Sequence, residues 1–306
     1  MKVLFMGTPE FAVSSLNALL ASKHEVVGVV TQPDRAVKRG KSESSAVKHA
    51  AERAGLNVIQ PIKIRTETER LKAFGADIAV TAAYGQLLTQ DVLDSFPKGV
   101  INVHASLLPK YRGASPVQAA IAAGETETGV TIMQTELGLD SGDILAVSKT
   151  EITAEENAGE LMERLGEIGA KLLVETLDNF DGITPIKQND ALATHCKTIK
   201  KHELFIDFSK SAKEVTDRIR ALAPMPCART EIDGEVYKIF KASVIECDTN
   251  AKFGTVTECG KRLVVACGSN AVAIERIQAP SKRALCIEEF LRGKKFDVGV
   301  TCGILQ

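Results

Sequence analysis

The sequence has no stretch approaching about 18 consecutive apolar residues, so no segment reads as a membrane span. The opening MKVLFMGTPEF reaches Gly7 and Pro9 too soon for the apolar core of a secretory signal, and the expected location is cytoplasmic. Paired-cysteine motifs are missing as well. The seven cysteines, Cys196, Cys227, Cys247, Cys259, Cys267, Cys286 and Cys302, contain no CxxC and no zinc spacing. An odd number of thiols in a cytosolic chain reads as reduced and structural. Gly7-Thr8-Pro9-Glu10 follows the first predicted strand, and the chain holds no GxGxxG, no GxxxxGK[ST] and no GxSxG. Their absence removes the leading dinucleotide, nucleoside-triphosphate and serine-hydrolase readings. The chemistry is expected to rest on side chains or on a carrier, without a metal.

What is present is a globular composition. The 306 residues are 44% hydrophobic and 25% charged, enough for a sizeable core in two domains. The formal net charge of -1 conceals an asymmetry. Residues 1–190 hold 19 Lys and Arg against 25 Asp and Glu, whereas residues 191–306 hold 19 against 14. The basic second part suits contact with an anion such as nucleic acid, although a small domain of that charge is often merely soluble.

Up to residue 190, apolar runs alternate with amphipathic segments, the rhythm of a parallel sheet covered by helices. Strands are predicted over Lys2–Met6, Glu25–Thr31, Asp77–Ala83, Gly99–Ala105 and Val130–Glu136. Ser115, Pro116 and Gly124 bracket a short helix. A Thr153/Glu156 capping box opens a long one whose buried face steps through Leu161, Leu165, Ile168 and Leu172. Residues 191–206 lose periodicity and read as a linker between domains 1–190 and 207–306. In the second domain a Ser211/Glu214 box opens a helix to Ala223. Strands follow over Ala228–Ile232, Val236–Ile245, Gly254–Glu258, Arg262–Ala266 and Val272–Ile277, with Asp233-Gly234 as a hairpin turn. Five short strands in about 100 residues suit a small OB-like barrel.

The stretch GVINVHASLLPKYRGASPVQAAI, residues 99–121, carries the most information. In a strand alternate side chains share a face, so Val100, Asn102 and His104 point one way and Ile101 and Val103 the other. Open α/β sheets bind ligands beyond the carboxyl ends of their strands, where Asn102 and His104 would lie. The alternative is a buried Asn and His that only satisfy backbone groups. Asp140 and Asp143 follow in a glycine-containing loop, from which Asp140 could orient His104. A metal pair or plain turn-forming aspartates are the competing readings of those two residues.

Asn102-x-His104-x-Ser106-Leu107-Leu108-Pro109 followed by Gly-Leu-Asp140-Ser-Gly resembles the signature of the folate-dependent formyltransferases. The opening GTPEFA and the loop from Thr31-Gln32-Pro33-Asp34-Arg35 to Arg39-Gly40-Lys41 extend the resemblance to the branch that acts on methionyl-tRNA. The resemblance implies a Rossmann-like catalytic domain, an OB-like C-terminal domain that helps hold tRNA, and a monomer. It implies transfer of formyl from 10-formyltetrahydrofolate to initiator methionyl-tRNA, with no metal. By the same resemblance Asn102, His104 and Asp140 are catalytic and Ser106, Leu107, Leu108 and Pro109 line the folate site; Tyr84 to Leu88 are candidates for further folate contacts outside what the resemblance assigns. Arg39, Lys38 and Lys41 meet tRNA, and Phe11 belongs to the methionyl pocket. Lys197, Lys200 and Lys201 are further phosphate candidates. The loop departs from the family in having Ala36-Val37-Lys38 where Pro-Ala-Gly is common, which alters its backbone preferences.

Overall fold

The computed structural model describes residues 1–37, 41–247 and 250–303. Contacts group the chain into two compact units, one built from residues 1–116, 127–151 and 162–196, the other from 117–126, 152–161 and the chain from 197 onward.

Through residue 196 the elements are β1 (Lys2–Gly7), α1 (Glu10–Leu20), β2 (Glu25–Val30), β3 (Arg35–Val37), β4 (Lys41–Glu43), α2 (Ala46–Arg53) and β5 (Val58–Ile59). Next come α3 (Thr68–Lys72), β6 (Ile78–Ala82), α4 (Gln90–Leu93), β7 (Val100–His104), β8 (Arg112–Gly113) and α5 (Pro116–Ala122). They are followed by β9 (Glu127–Gln134), β10 (Ile144–Glu151), α6 (Ala158–Asp178) and β11 (His195–Cys196). Seven strands form one sheet in the order β10-β9-β7-β6-β1-β2-β5. The pairs from β5 to β7 are parallel, and β9 and β10 add an antiparallel edge. β6 is buried along its whole length and β1 from Val3 onward, as expected of central strands covered on both faces. β10 was not foreseen: it opens on a short apolar run, Ile144-Leu145-Ala146-Val147, but no residue in it is fully buried and its second half is polar.

The expected Thr153/Glu156 box does not cap α6. Asn157 does: its Oδ1 accepts from the N–H groups of Gly159 and Glu160 at 2.9 and 3.2 Å, while Glu160 accepts from the Asn157 N–H at 2.9 Å. Both boxes have the same spacing, and the one used begins four positions after Thr153. The buried stripe also differs from the expected one, because Ile168 and Leu172 are half-buried while Leu161, Leu165, Leu173 and Leu177 are in the core. Gly169 explains the shift. A Cβ there would stand 2.9 Å from Val103 and 3.2 Å from Val130, so α6 rests directly on β7 and β9. Gly169→Ala is expected to cost about 1–3 kcal/mol through overpacking against two stiff valines, more than the helix propensity it gains. Denaturant unfolding checks this, and a more stable variant would show that α6 can lift without penalty.

In the second unit come α7 (Ala212–Leu222), β12 (Ala228–Ile232), β13 (Glu235–Ile245), β14 (Val256–Cys259), β15 (Leu263–Ala266), β16 (Ala271–Gln278), β17 (Ala284–Cys286) and α8 (Ile287–Gly293). Ser211 and Glu214 form the expected capping box. Asp233 and Gly234 both take positive φ, 52° and 75°, the turn that the β12–β13 hairpin requires. The antiparallel sheet runs β12-β13-β16-β15-β14, with β17 beside β16 and bulges in β13 that curl it. Residues 299–303 bridge β14 to β12: Gly303 and Glu231 exchange two 3.0 Å bonds, Cys302 donates to Gly254 at 2.7 Å, and Gly299 and Val300 pair with Val256. The sheet thereby closes into a small barrel. Tyr237, Phe290 and Phe296 fill it with edge-on and stacked rings, two of them supplied by α8 and the segment after it, which the strand pattern had not foreshadowed.

Candidate active site

β7 presents the two faces that its alternation demands. Val103 meets α6 at Gly169, and Val100 joins the core of Leu93, Phe96 and Tyr84 on the other side. Asn102 and His104 therefore share the Val100 face, about 7 and 13 Å further along the strand.

Asn102 is half-buried, and its Oδ1 accepts from the Thr81 hydroxyl of β6 at 2.9 Å. Its carbonyl end is thus engaged, which leaves the Nδ2 hydrogens to donate elsewhere. Thr81 was not anticipated, because within β6 it reads only as part of a buried strand.

His104 is 6% exposed. Its Nε2 lies 3.0 Å from the Tyr111 carbonyl, so Nε2 carries hydrogen and donates there. Tyr111 has φ of 60°, an unusual backbone for a bulky residue, held between the 2.8 Å bond from its N–H to Thr194 and the contact with His104. The sequence reading gave the orienting role to Asp140. The structure assigns the hydrogen bond to Tyr111 instead: Asp140 Oδ2 is 3.7 Å from Nδ1, within ion-pair reach but beyond a hydrogen bond.

Asp140 is held on its own terms. Oδ2 accepts from the Gly113 N–H at 2.7 Å, and the Asp140 carbonyl accepts from Gln188 Nε2 at 2.9 Å. Gly113 has φ of 120°, and a Cβ there would collide with the Cys196 carbonyl at 2.1 Å, because β8 pairs with β11. That pairing lies inside the stretch expected to be a linker. A short β-bridge carries no periodicity to signal it. The Cys196 thiol, buried against the Tyr111 and Arg112 carbonyls at 3.4 Å, is pushed up by burial and is inert packing rather than a nucleophile.

The segment after His104 is internally braced. Ser106 is fully buried, and its hydroxyl donates to the Lys110 carbonyl at 2.7 Å. Thr131 of β9 donates to the Ser106 carbonyl at 2.7 Å and accepts from the Leu108 N–H at 3.2 Å. The Ser106 hydroxyl is therefore committed within the loop. Leu108 is buried, and Leu107 and Pro109 are half-buried.

A cleft of about 520 Å³ opens at the other end of β7 from His104, lined by Leu93, Asp94, Phe96, Val100, Thr135 and Glu136 among others. The Thr135 hydroxyl is buried without a hydrogen-bond partner among the described residues, as is that of nearby Tyr84. Burial raises the Tyr84 phenol above its ordinary range, so it stays protonated and can donate. Among the described residues no three His, Cys, Asp or Glu side chains converge on a common point.

The remaining expected residues lie elsewhere. β3 and β4 form a hairpin that pairs Arg35 with Glu43 and Val37 with Lys41. Lys38 and Arg39 lie outside the described residues, and of Lys41 only the backbone is described. Phe11 is 8% exposed, with its ring against Gly166 of α6. Lys197, Lys200 and Lys201 are exposed.

Comparison with known proteins adds the following. A formyl transferase family model matches residues 1–177, and the model for the C-terminal domain of formyl transferases matches residues 198–295. The chain is 44% identical to a methionyl-tRNA formyltransferase of Lachnospira eligens over 99% of its length and all of that protein's. It is 42% identical to the enzyme of that name from Coxiella burnetii, with 98% of each chain covered. Among solved structures, the N-formyltransferase of Helicobacter canadensis in complex with folinic acid and dTDP-3-aminofucose superposes with a TM-score of 0.69 at 20% identity, covering 92% of this chain and all of that one. HypX from Aquifex aeolicus in complex with tetrahydrofolic acid gives 0.65 at 17% identity, covering 97% of this chain and 48% of its own. At these identities the two structures attest to the fold alone.

Proposed function

The chain belongs to the formyl transferase family, and from that premise we propose that it transfers the formyl group of 10-formyltetrahydrofolate to the α-amino group of initiator methionyl-tRNA. The product is N-formylmethionyl-tRNA for translation initiation, and we place the enzyme in the cytoplasm as a monomer. The observation that carries the reading is the convergence of Asn102, His104 and Asp140 at the carboxyl end of β7, where Thr81 turns the Asn102 amide and the Asp140 carboxylate stands 3.7 Å from the His104 ring.

Roles follow from the geometry. The folate is proposed to lie at the carboxyl end of β7, beside the segment Ser106, Leu107, Leu108 and Pro109. An unhindered α-amino group has a pKa of about 7.7–8, so a fraction of the methionyl amine is already nucleophilic near neutrality. Its attack on the formyl carbon places negative charge on the formyl oxygen. Asn102 Nδ2 donates to that oxygen, and Thr81 keeps the amide turned for the purpose. Nδ1 of His104 and the Asp140 carboxylate stand 3.7 Å apart. An amine nitrogen or a water about 2.8 Å from each would close a triangle, and through it a proton leaves the attacking nitrogen for the departing N10. Arg39, with Lys38 and Lys41, would meet the tRNA backbone from the β3–β4 hairpin, attracting phosphates without reading bases. Phe11 is proposed for the methionyl side.

The test is transfer of labelled formyl from 10-formyltetrahydrofolate to charged initiator methionyl-tRNA, elongator methionyl-tRNA and a sugar-nucleotide amine. The expected result is fast transfer to the initiator only, with an affinity that falls as salt rises. Arg39→Ala should weaken tRNA binding and flatten that salt dependence. Transfer to the sugar-nucleotide amine with none to tRNA would overturn the acceptor assignment.

A further inference from the structure

From residue 184 to 192 every side chain except that of Gln188 is exposed. Gln188 is 6% exposed and its amide is fully used. Nε2 donates to the Asp140 carbonyl at 2.9 Å and to the Gly142 carbonyl at 2.7 Å, while Oε1 accepts from Arg112 Nε and Nη2 at 3.0 and 2.8 Å. Arg112 is itself 5% exposed and also bonds Asp190 at 2.8 Å. The next residue, Gly113, donates its N–H to the Asp140 carboxylate. These contacts form a closed ring: Gln188 holds the Asp140 backbone, Gly113 holds its carboxylate, and Arg112 ties Gln188 to Gly113.

We propose that Gln188, held by Arg112, is a positioning residue that sets the Asp140 carboxylate against His104. The kinetic consequence rests on the formyl-transfer reading; the geometry does not. Asp140 has φ of 49°, a backbone that a non-glycine residue keeps only where its surroundings enforce it. Between β9 and β10 the loop is anchored at its ends by strand pairing, and a pair of bonds between Ile144 and Ile186 brings the chain before Gln188 alongside. Within the loop, Gln188 is the side chain that grips the main chain on both sides of Ser141. A glutamine suits this task because one planar group supplies two donors to adjacent carbonyls and two acceptor sites to a guanidinium.

Two variants separate positioning from folding. Gln188→Ala removes all four bonds. Gln188→Glu keeps, and charges, the acceptor for Arg112 but has no hydrogen for the Asp140 and Gly142 carbonyls. Both variants are expected to lose about 10- to 100-fold in kcat, with KM for tRNA within about twofold of the parent. Gln188→Glu should fold but melt below the parent, since it strands the Asp140 and Gly142 carbonyls. The Gly113 amide proton, deshielded by the carboxylate, should move upfield in the NMR spectrum, and its exchange with solvent should quicken at least about tenfold. In an Asp140→Ala background, Gln188→Ala should add nothing further to the kcat loss. The assignment is overturned if Gln188→Glu keeps both the parental kcat and the Gly113 resonance, or if the loss persists in full without Asp140. Failure of both variants to fold would overturn it too, making Gln188 a folding residue. If the parent transfers no formyl group at all, the functional reading fails, and the Gly113 resonance still decides the positioning.

Discussion

His104→Ala is expected to slow formyl transfer by about 10²- to 10⁴-fold at saturating substrates, the range for removal of a positioned proton-transfer group. The ring is buried, fixed through Nε2 on the Tyr111 carbonyl, and turned so that Nδ1 faces Asp140. No other imidazole stands by to replace it, since His195 is exposed and belongs to β11. The substitution also strands the Tyr111 carbonyl, at a cost of about 1–3 kcal/mol in stability. Melting and kinetics should therefore be measured together. KM for tRNA should change little, because His104 lies on a strand end rather than on the basic hairpin. A variant that keeps more than about a tenth of the parental kcat would place the proton transfer elsewhere.

Asn102→Ala is expected to cost about 100- to 1000-fold in kcat, the usual loss when one donor to a developing oxyanion is removed. Asn102→Asp makes the argument sharper. It keeps the size of the side chain and its acceptor for Thr81, but it replaces the donating amide with a negative charge where charge must develop. It should be at least as slow as the alanine variant. Thr81→Val removes the hydroxyl that turns the amide, and should fall between the parent and Asn102→Ala with unchanged substrate binding. Equal activity of Asn102→Asp and the parent would remove Asn102 from the chemical step.

Much of this architecture was legible in advance where one physical signal dominated. Buried parallel strands announce themselves as apolar runs, so β1, β2, β6 and β7 lie within a residue or so of their expected bounds. The Ser211/Glu214 box and the Asp233-Gly234 turn encode local geometry and stand where expected. The alternation along β7 correctly separates Asn102 and His104 from Val103. The misses share a different cause. β10 is an edge strand whose Ile144-Leu145-Ala146-Val147 run gives way at once to polar residues, and β8 and β11, two residues each, are too short for propensity or period to reveal. In α6 the sequence favoured Ile168 and Leu172 by hydrophobicity, whereas helix and sheet approach most closely where there is no side chain, at Gly169. Asp140 was found through its motif. Its supports, Arg112 and Gly113 of β8 and Gln188, come from two segments that meet it only in the fold. The cleft, likewise, is assembled from α4, the start of β7 and the loop after β9.

The central claim is that Asn102 and His104 act on the same reacting centre. Single-turnover formyl transfer by the parent, Asn102→Ala, His104→Ala and the doubly substituted enzyme, with donor and initiator methionyl-tRNA both saturating, tests it most directly. Groups that act together on one intermediate lose far less in combination than the product of their separate losses. The doubly substituted enzyme should thus be within about tenfold of the slower single variant. A combined loss equal to the product of the two, or single variants that transfer at the parental rate, would contradict a shared site at the end of β7.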